Sequence, residues 1–123
     1  MNYCSYTINM AWEVKTTDEY DNWFLGLAES GQEAVRMKVE LLEEYGPLLP
    51  RPHADTLKGS KIKKLKELRA QSDNQVLRVA FLFDEERKAI LLIGGDKKGK
   101  NEELFYQRLV KQAEEIYKQY RDG

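Results

Sequence analysis

The chain has 123 residues, enough for one domain around a single core and too few for two. At 41% hydrophobic, 33% charged and 11% aromatic residues its composition is that of an ordinary globular protein, which excludes a disordered or collagen-like chain. Lys and Arg number 20 against 21 Asp and Glu, and the resulting net charge of −1 singles out neither a nucleic acid nor a membrane as partner.

That total conceals a segregation. Residues 1–57 carry 4 basic and 10 acidic groups, residues 58–100 carry 12 and 6, and residues 101–123 carry 4 and 5, or −6, +6 and −1. An anionic partner is to be sought at the middle block. Cys4 is the only cysteine, so neither an internal disulfide nor a Cys-rich metal site is available, which fits a reducing cytoplasm. Residues 1–10 hold no basic segment and no long apolar run. They read as a disordered extension, neither signal peptide nor membrane anchor, with Met10 as an alternative start, and residues 11–123 read as one domain.

In chain order, Ala11 to Lys15 alternates Trp12 and Val14 with Glu13 and Lys15, the period of a short strand. Thr17 or Asp18 then caps a helix whose Tyr20, Trp23, Phe24 and Leu27 share one face. Ser30 and Glu33 form a capping box for a second helix, carried by Val35, Val39 and Leu42 and ended by Gly46 and Pro47; so short a link predicts an antiparallel hairpin. Three prolines between Pro47 and Pro52 impose a shaped loop that ends in His53, Ala54 and Asp55. Leu65 to Gln71, Gln75 to Phe83 and Ala89 to Gly95, joined by short polar turns, form an antiparallel meander. The continuous apolar runs of its last two members mark central strands covered on both faces. Asn101 caps a final helix with the apolar stripe Phe105, Leu109, Ala113, Ile116 and Tyr120. The fold class is α+β, one sheet with helices.

The same order of elements, with Arg51-Pro52-His53-Ala54-Asp55-Thr56-Leu57-Lys58-Gly59-Ser60, Leu65-Lys66-Glu67-Leu68-Arg69 and Leu91-Leu92-Ile93-Gly94-Gly95-Asp96-Lys97, resembles the HigB-type branch of the RelE/ParE toxin superfamily. The likeness runs from about Met10 to the C-terminus and includes Phe105-Tyr106. It implies a RelE/ParE-like fold and the toxin of a type II toxin-antitoxin module. Such a toxin is a metal-independent endoribonuclease that cuts mRNA, often at the ribosome; on the same fold some relatives poison DNA gyrase instead. A small helix-turn-helix antitoxin would be its partner, and no cofactor is implied. Lys61 to Lys64 stands where relatives often carry another histidine, and Lys98 where a threonine is common. A non-catalytic protein that only binds a partner is the reading from a different functional class.

Arg78 sits inside the apolar run Val76 to Phe83, where a permanent charge must be paired or reach solvent. Either it forms a structural ion pair with Glu67 or Asp96, or its planar fork binds phosphate and stabilises a pentacoordinate phosphorane, with Arg69 on the neighbouring strand completing the clamp. Lys97 and Lys98 follow Gly94-Gly95 at a strand end. They are either solvated turn residues or face RNA, Lys98 as a binding residue and Lys97, oriented by Asp96, as positive charge or a proton source for a leaving 5′-oxygen. His53, the sole histidine, is either a hydrogen-bonding loop residue with Asp55 as turn partner, or the base that takes a ribose 2′-OH proton for in-line attack on the adjacent phosphate; Asp55 is the other candidate base. Lys58, Lys61, Lys63, Lys64 and Lys66 form a basic run that is either a solvated surface or a face for RNA or an acidic antitoxin segment. One histidine and one cysteine exclude a His/Cys zinc cluster, and Lys58-Gly59-Ser60-Lys61 has the wrong order for a phosphate loop.

Overall fold

In the computed structural model, which describes residues 11–123, the chain forms β1 (Glu13–Thr16), α1 (Asp18–Leu25), α2 (Glu29–Tyr45), a single 3-10 turn (Gly46–Leu48), β2 (Ala54–Thr56), β3 (Lys66–Ser72), β4 (Gln75–Phe83), β5 (Lys88–Asp96) and α3 (Glu102–Asp122). The expected extension at residues 1–10 lies outside the described residues. The α+β class, the short first strand, the two helices, the meander and the last helix all appear as read from the sequence.

The strands make one sheet in the order β1-β5-β4-β3-β2, with β1 parallel to β5 and every other neighbour antiparallel. The meander is therefore extended on both sides. β2 forms where a loop end was expected, because Ala54 to Thr56 add to the free edge of β3, Asp55 opposite Glu67. Such a short edge strand carries too little periodic signal to be seen in the sequence.

Alternation along the strands divides the core in two. Leu68, Leu77, Val79, Phe81 and Leu91 face Tyr20, Val35 and Leu42 under α1 and α2. Leu65, Ala80, Leu82, Ile90 and Leu92 face Phe105, Leu109, Val110 and Ala113 of α3. The central strands are thus covered on both faces, as their apolar runs require. α1 packs on β5 and α2 on β3, so the helix pair spreads over the sheet instead of burying its apolar faces on itself. The expected capping box is not used: α2 starts at Glu29 behind Ala28, which makes no side-chain cap. Tyr120 ends the α3 stripe exposed.

Thr17 joins the first helix to the sheet. Its hydroxyl accepts the Tyr20 N–H as the α1 cap and donates to the Leu92 carbonyl at 2.7 Å. Leu92 is the extra residue of a bulge, since Ala80 pairs with Ile93 and Phe81 with Leu91. Thr17 thereby satisfies a carbonyl that the bulge takes out of the ladder. Among the described residues no helix is long and apolar enough to cross a membrane.

Candidate active site

The same alternation that buries Leu65 and Ala80 under α3 directs Glu67, Arg69 and Arg78 to that face, at the end of the sheet where α3 begins. Arg69 and Arg78 are direct partners across β3 and β4. Two guanidiniums so placed repel unless a counter-charge lies between them, and Glu67, 3% exposed, supplies it. Its Oε2 accepts from Arg69 Nε at 3.1 Å and Nη2 at 3.0 Å, while Oε1 lies 3.6 Å from Arg78 Nε. The ion pair foreseen for Arg78 is therefore with Glu67. Asp96 is occupied elsewhere: its Oδ1 accepts the backbone N–H groups of Val76 and Lys98.

Tyr106, in the first turns of α3, completes the cluster. Its hydroxyl accepts from Arg78 Nε at 3.1 Å and donates to Glu67 Oε1 at 2.9 Å. Burial raises its pKa above the ordinary phenol value and the hydrogen bond from Arg78 opposes that rise, so the phenol keeps its proton at neutral pH. Lys97 lies over the Tyr106 ring, 5.6 Å from the centroid, and is bound by Glu102 Oε1 at 2.6 Å. That contact holds the Glu102 carboxyl below its usual range. On the β2 side, Asp55 Oδ2 meets Arg51 Nε at 2.9 Å and Arg69 Nη2 at 3.2 Å. The Thr56 N–H and these arginines keep the Asp55 carboxyl ionised below its ordinary pKa. The walls of β2, β3, β4 and α3 enclose an open cleft of about 490 Å³ that also reaches Lys58.

The cleft holds four of the five expected catalytic residues, Arg69, Arg78, Lys97 and Asp55. His53 is not brought there. Its ring is taken up by α2, where Lys38 Nζ donates to His53 Nδ1 at 2.7 Å. An ammonium has no lone pair, so Nδ1 is the acceptor in this contact. Desolvation lowers the pKa of Lys38. His53 acts on the cleft through its backbone alone, where its carbonyl accepts Arg69 N–H at 2.9 Å.

The family model described as Phage derived protein Gp49-like (DUF891) matches residues 22–118. The chain belongs to this family. It is 40% identical over 81 residues to toxin HigB3 of Mycobacterium tuberculosis, covering 66% of this chain and 69% of that protein. It is 38% identical over 99 residues to toxin HigB2 of the same organism, covering 80% of this chain and 49% of that one. The chain therefore spans about half the length of HigB2. The resemblance to HigB-type toxins seen in the sequence motifs is borne out. The fold is shared with a free-state mutant of Escherichia coli RelE (TM-score 0.55, 13% identity, 72% of this chain and 86% of that one). It is shared also with the RelBE2 toxin-antitoxin complex of M. tuberculosis (0.54, 15%, 70% and 98%) and the RelE-RelB complex of Pyrococcus horikoshii (0.53, 17%, 73% and 99%).

In this Gp49-like chain the basic run does not act as one face. Lys58 lines the cleft, whereas Lys63, Lys64 and Lys66 lie by Phe83 on the far side of the β2–β3 connection. Ser60 Oγ and Lys61 N both donate to Glu114 Oε2 of α3, which pins the connection and places Lys61 with Lys58 in a groove along Glu103, Tyr106 and Lys111 of α3. Lys98 is exposed in the β5–α3 turn. Four cleft residues escaped the sequence reading: Arg51, Glu67 as a hub, Glu102 and Tyr106. Only Glu67 had a readable signal, since a carboxylate two residues before Arg69 on a strand shares its face.

Proposed function

We propose that this chain is the toxin of a type II toxin-antitoxin module and an endoribonuclease that cuts mRNA by attack of a ribose 2′-OH on the adjacent phosphate. The observation that carries the reading is the Arg69–Glu67–Arg78 cluster with the Tyr106 hydroxyl at its centre. Two guanidinium forks in an open cleft suit the oxygens of a phosphodiester and the charge of a pentacoordinate phosphorane, and they supply without a metal the positive charge the reaction demands. Tyr106 takes the 2′-OH proton as its own proton passes to Glu67, so the base is a phenol–carboxylate relay. The new O–P bond forms as the P–O5′ bond breaks, and Lys97 protonates the departing 5′-oxygen. The products are a 2′,3′-cyclic phosphate and a free 5′-hydroxyl. Asp55, which meets Arg51 and Arg69, orients Arg69.

The proposed partners are mRNA at the ribosome and a helix-turn-helix antitoxin encoded beside the toxin; the RelE neighbours in two of the matched structures are bound to RelB-type partners. Induced expression without antitoxin tests the function. Translation arrest with transcripts cut at defined sites, abolished by Arg78→Ala in a protein that still folds, is the expected result. Intact transcripts with DNA-damage signalling would identify a gyrase poison, and harmless growth a binding protein.

A further inference from the structure

A second groove, of about 760 Å³, lies on the other side of the β5–α3 turn from the cleft. Its floor is apolar for a structural reason. Gly94 has no side chain, and a Cβ there would meet the Trp23 ring at 2.4 Å; a Cβ on Gly95 would meet Phe105 at 3.0 Å. The two glycines therefore let the rings lie against the β5 backbone, and Leu104, 52% exposed, extends this surface outward. The rim is basic. Lys100, Arg108 and Lys111 line it, opposed by Glu115, and the Asp96 carboxylate at its edge is held by two backbone N–H groups.

We propose that this groove is a subsite for a nucleotide flanking the cut in single-stranded RNA, with the base on the Trp23–Leu104 surface and the adjoining phosphate on Arg108 and Lys111. The proposal rests on the reading that the cleft receives RNA. Stacking on a flat apolar floor accepts any base, and a guanidinium fork matches a phosphate, so the pairing of the two surfaces fits single-stranded nucleic acid. The groove and the cleft are divided only by the β5–α3 turn. Lys97 and Glu102 line the cleft and Asp96, Lys100 and Asn101 the groove, so one strand crossing the turn meets both. An apolar segment of a protein partner would use the floor and leave three cations on the rim without function.

The test uses the full chain with RNA made uncleavable by 2′-O-methylation, a 3-mer that fills the cleft alone and a 12-mer that reaches the groove. Anisotropy follows the 12-mer and NMR titration the 3-mer. Arg108→Glu is expected to weaken the 12-mer at least 10-fold and Leu104→Ser about 5-fold, a little over 1 kcal/mol lost per tenfold step. Both variants should leave the 3-mer unchanged, while Arg78→Ala weakens both ligands. Unchanged 12-mer binding in the groove variants would overturn the subsite and leave the cleft reading intact. So would loss of antitoxin binding with the 12-mer unaffected, which would make the groove a protein-docking surface. Failure of wild type to bind either RNA would overturn the cleft reading and the subsite together. Both substituted side chains are exposed, so a matched melting temperature verifies that folding is not the variable.

Discussion

The hydroxyl of Tyr106 is the one atom shared by the buried carboxylate and a guanidinium of the cleft, at 2.9 Å and 3.1 Å. Tyr106→Phe keeps the ring under Lys97 and removes only that atom. RNA cleavage should fall by about 100-fold or more while stability drops by about 1–2 kcal/mol, the cost of a lost hydrogen bond to a charged group. Full activity in a folded Tyr106→Phe protein would show that the relay is not the base. Two tyrosines also link stability to pH on the alkaline side. Burial raises the pKa of Tyr20, and of Tyr106, above the ordinary phenol value of 10.0. Above pH 10 the unfolded chain therefore releases these protons before the folded one does. It then binds fewer protons, and unfolding becomes easier as pH rises toward the folded values. Urea midpoints should decline beyond pH 10, and Tyr20→Phe should flatten that decline; an equally steep fall would place its origin elsewhere. Legibility differed among cleft residues for a physical reason. Arg78 stood out as a charge inside an apolar strand, Arg69 as its neighbour across the hairpin and Lys97 as a cation after a glycine pair at a strand end, whereas Tyr106 beside Phe105 is indistinguishable from core until its hydroxyl is placed.

At the scale of elements, the join between β1 and the sheet depends on a single side chain. Thr17 caps α1 and supplies the Leu92 carbonyl with a donor. Thr17→Ala removes both interactions at a site only 6% exposed and should cost about 1–3 kcal/mol, seen as a lower urea midpoint with an unchanged slope. Thr17→Ser should recover most of it. Equal midpoints for all three proteins would show that water serves the bulge as well. The identity of the cap was readable from Thr17 and Asp18, but its second bond was not. Local periodicity identifies a strand without naming its neighbour, so β1 gave no sign that it runs parallel to β5, 75 residues from Thr17 to Leu92 in sequence. Three residues at β2 gave still less. Element kinds were legible where apolar spacing was strong, as in β4, β5 and α3, and pairing was not.

Over the whole molecule the segregation of charge acquires a more exact meaning. The +6 block of residues 58–100 contributes Lys58, Arg69, Arg78 and Lys97 to the cleft, yet the cleft is far from being simply basic. Its five lining cations, with Arg51, face three carboxylates, Asp55, Glu67 and Glu102, which leaves an excess of two positive charges. A phosphate entering the cleft must compete with carboxylates as well as displace counterions. Salt dependence should therefore be shallow for an RNA confined to the cleft, with a log-log slope of about −1.4 where five free cations would give about −3.5. Glu102 is the carboxylate on which this prediction is most easily tested, being 69% exposed in its side chain and bound to Lys97. Glu102→Gln frees Lys97 without opening the core. A 3-mer should then bind more tightly at low salt, and the slope should steepen by about 0.7. An unchanged slope would mean that the RNA never reaches Lys97, and weaker binding would mean that Glu102 holds Lys97 in its working position and does not compete for it.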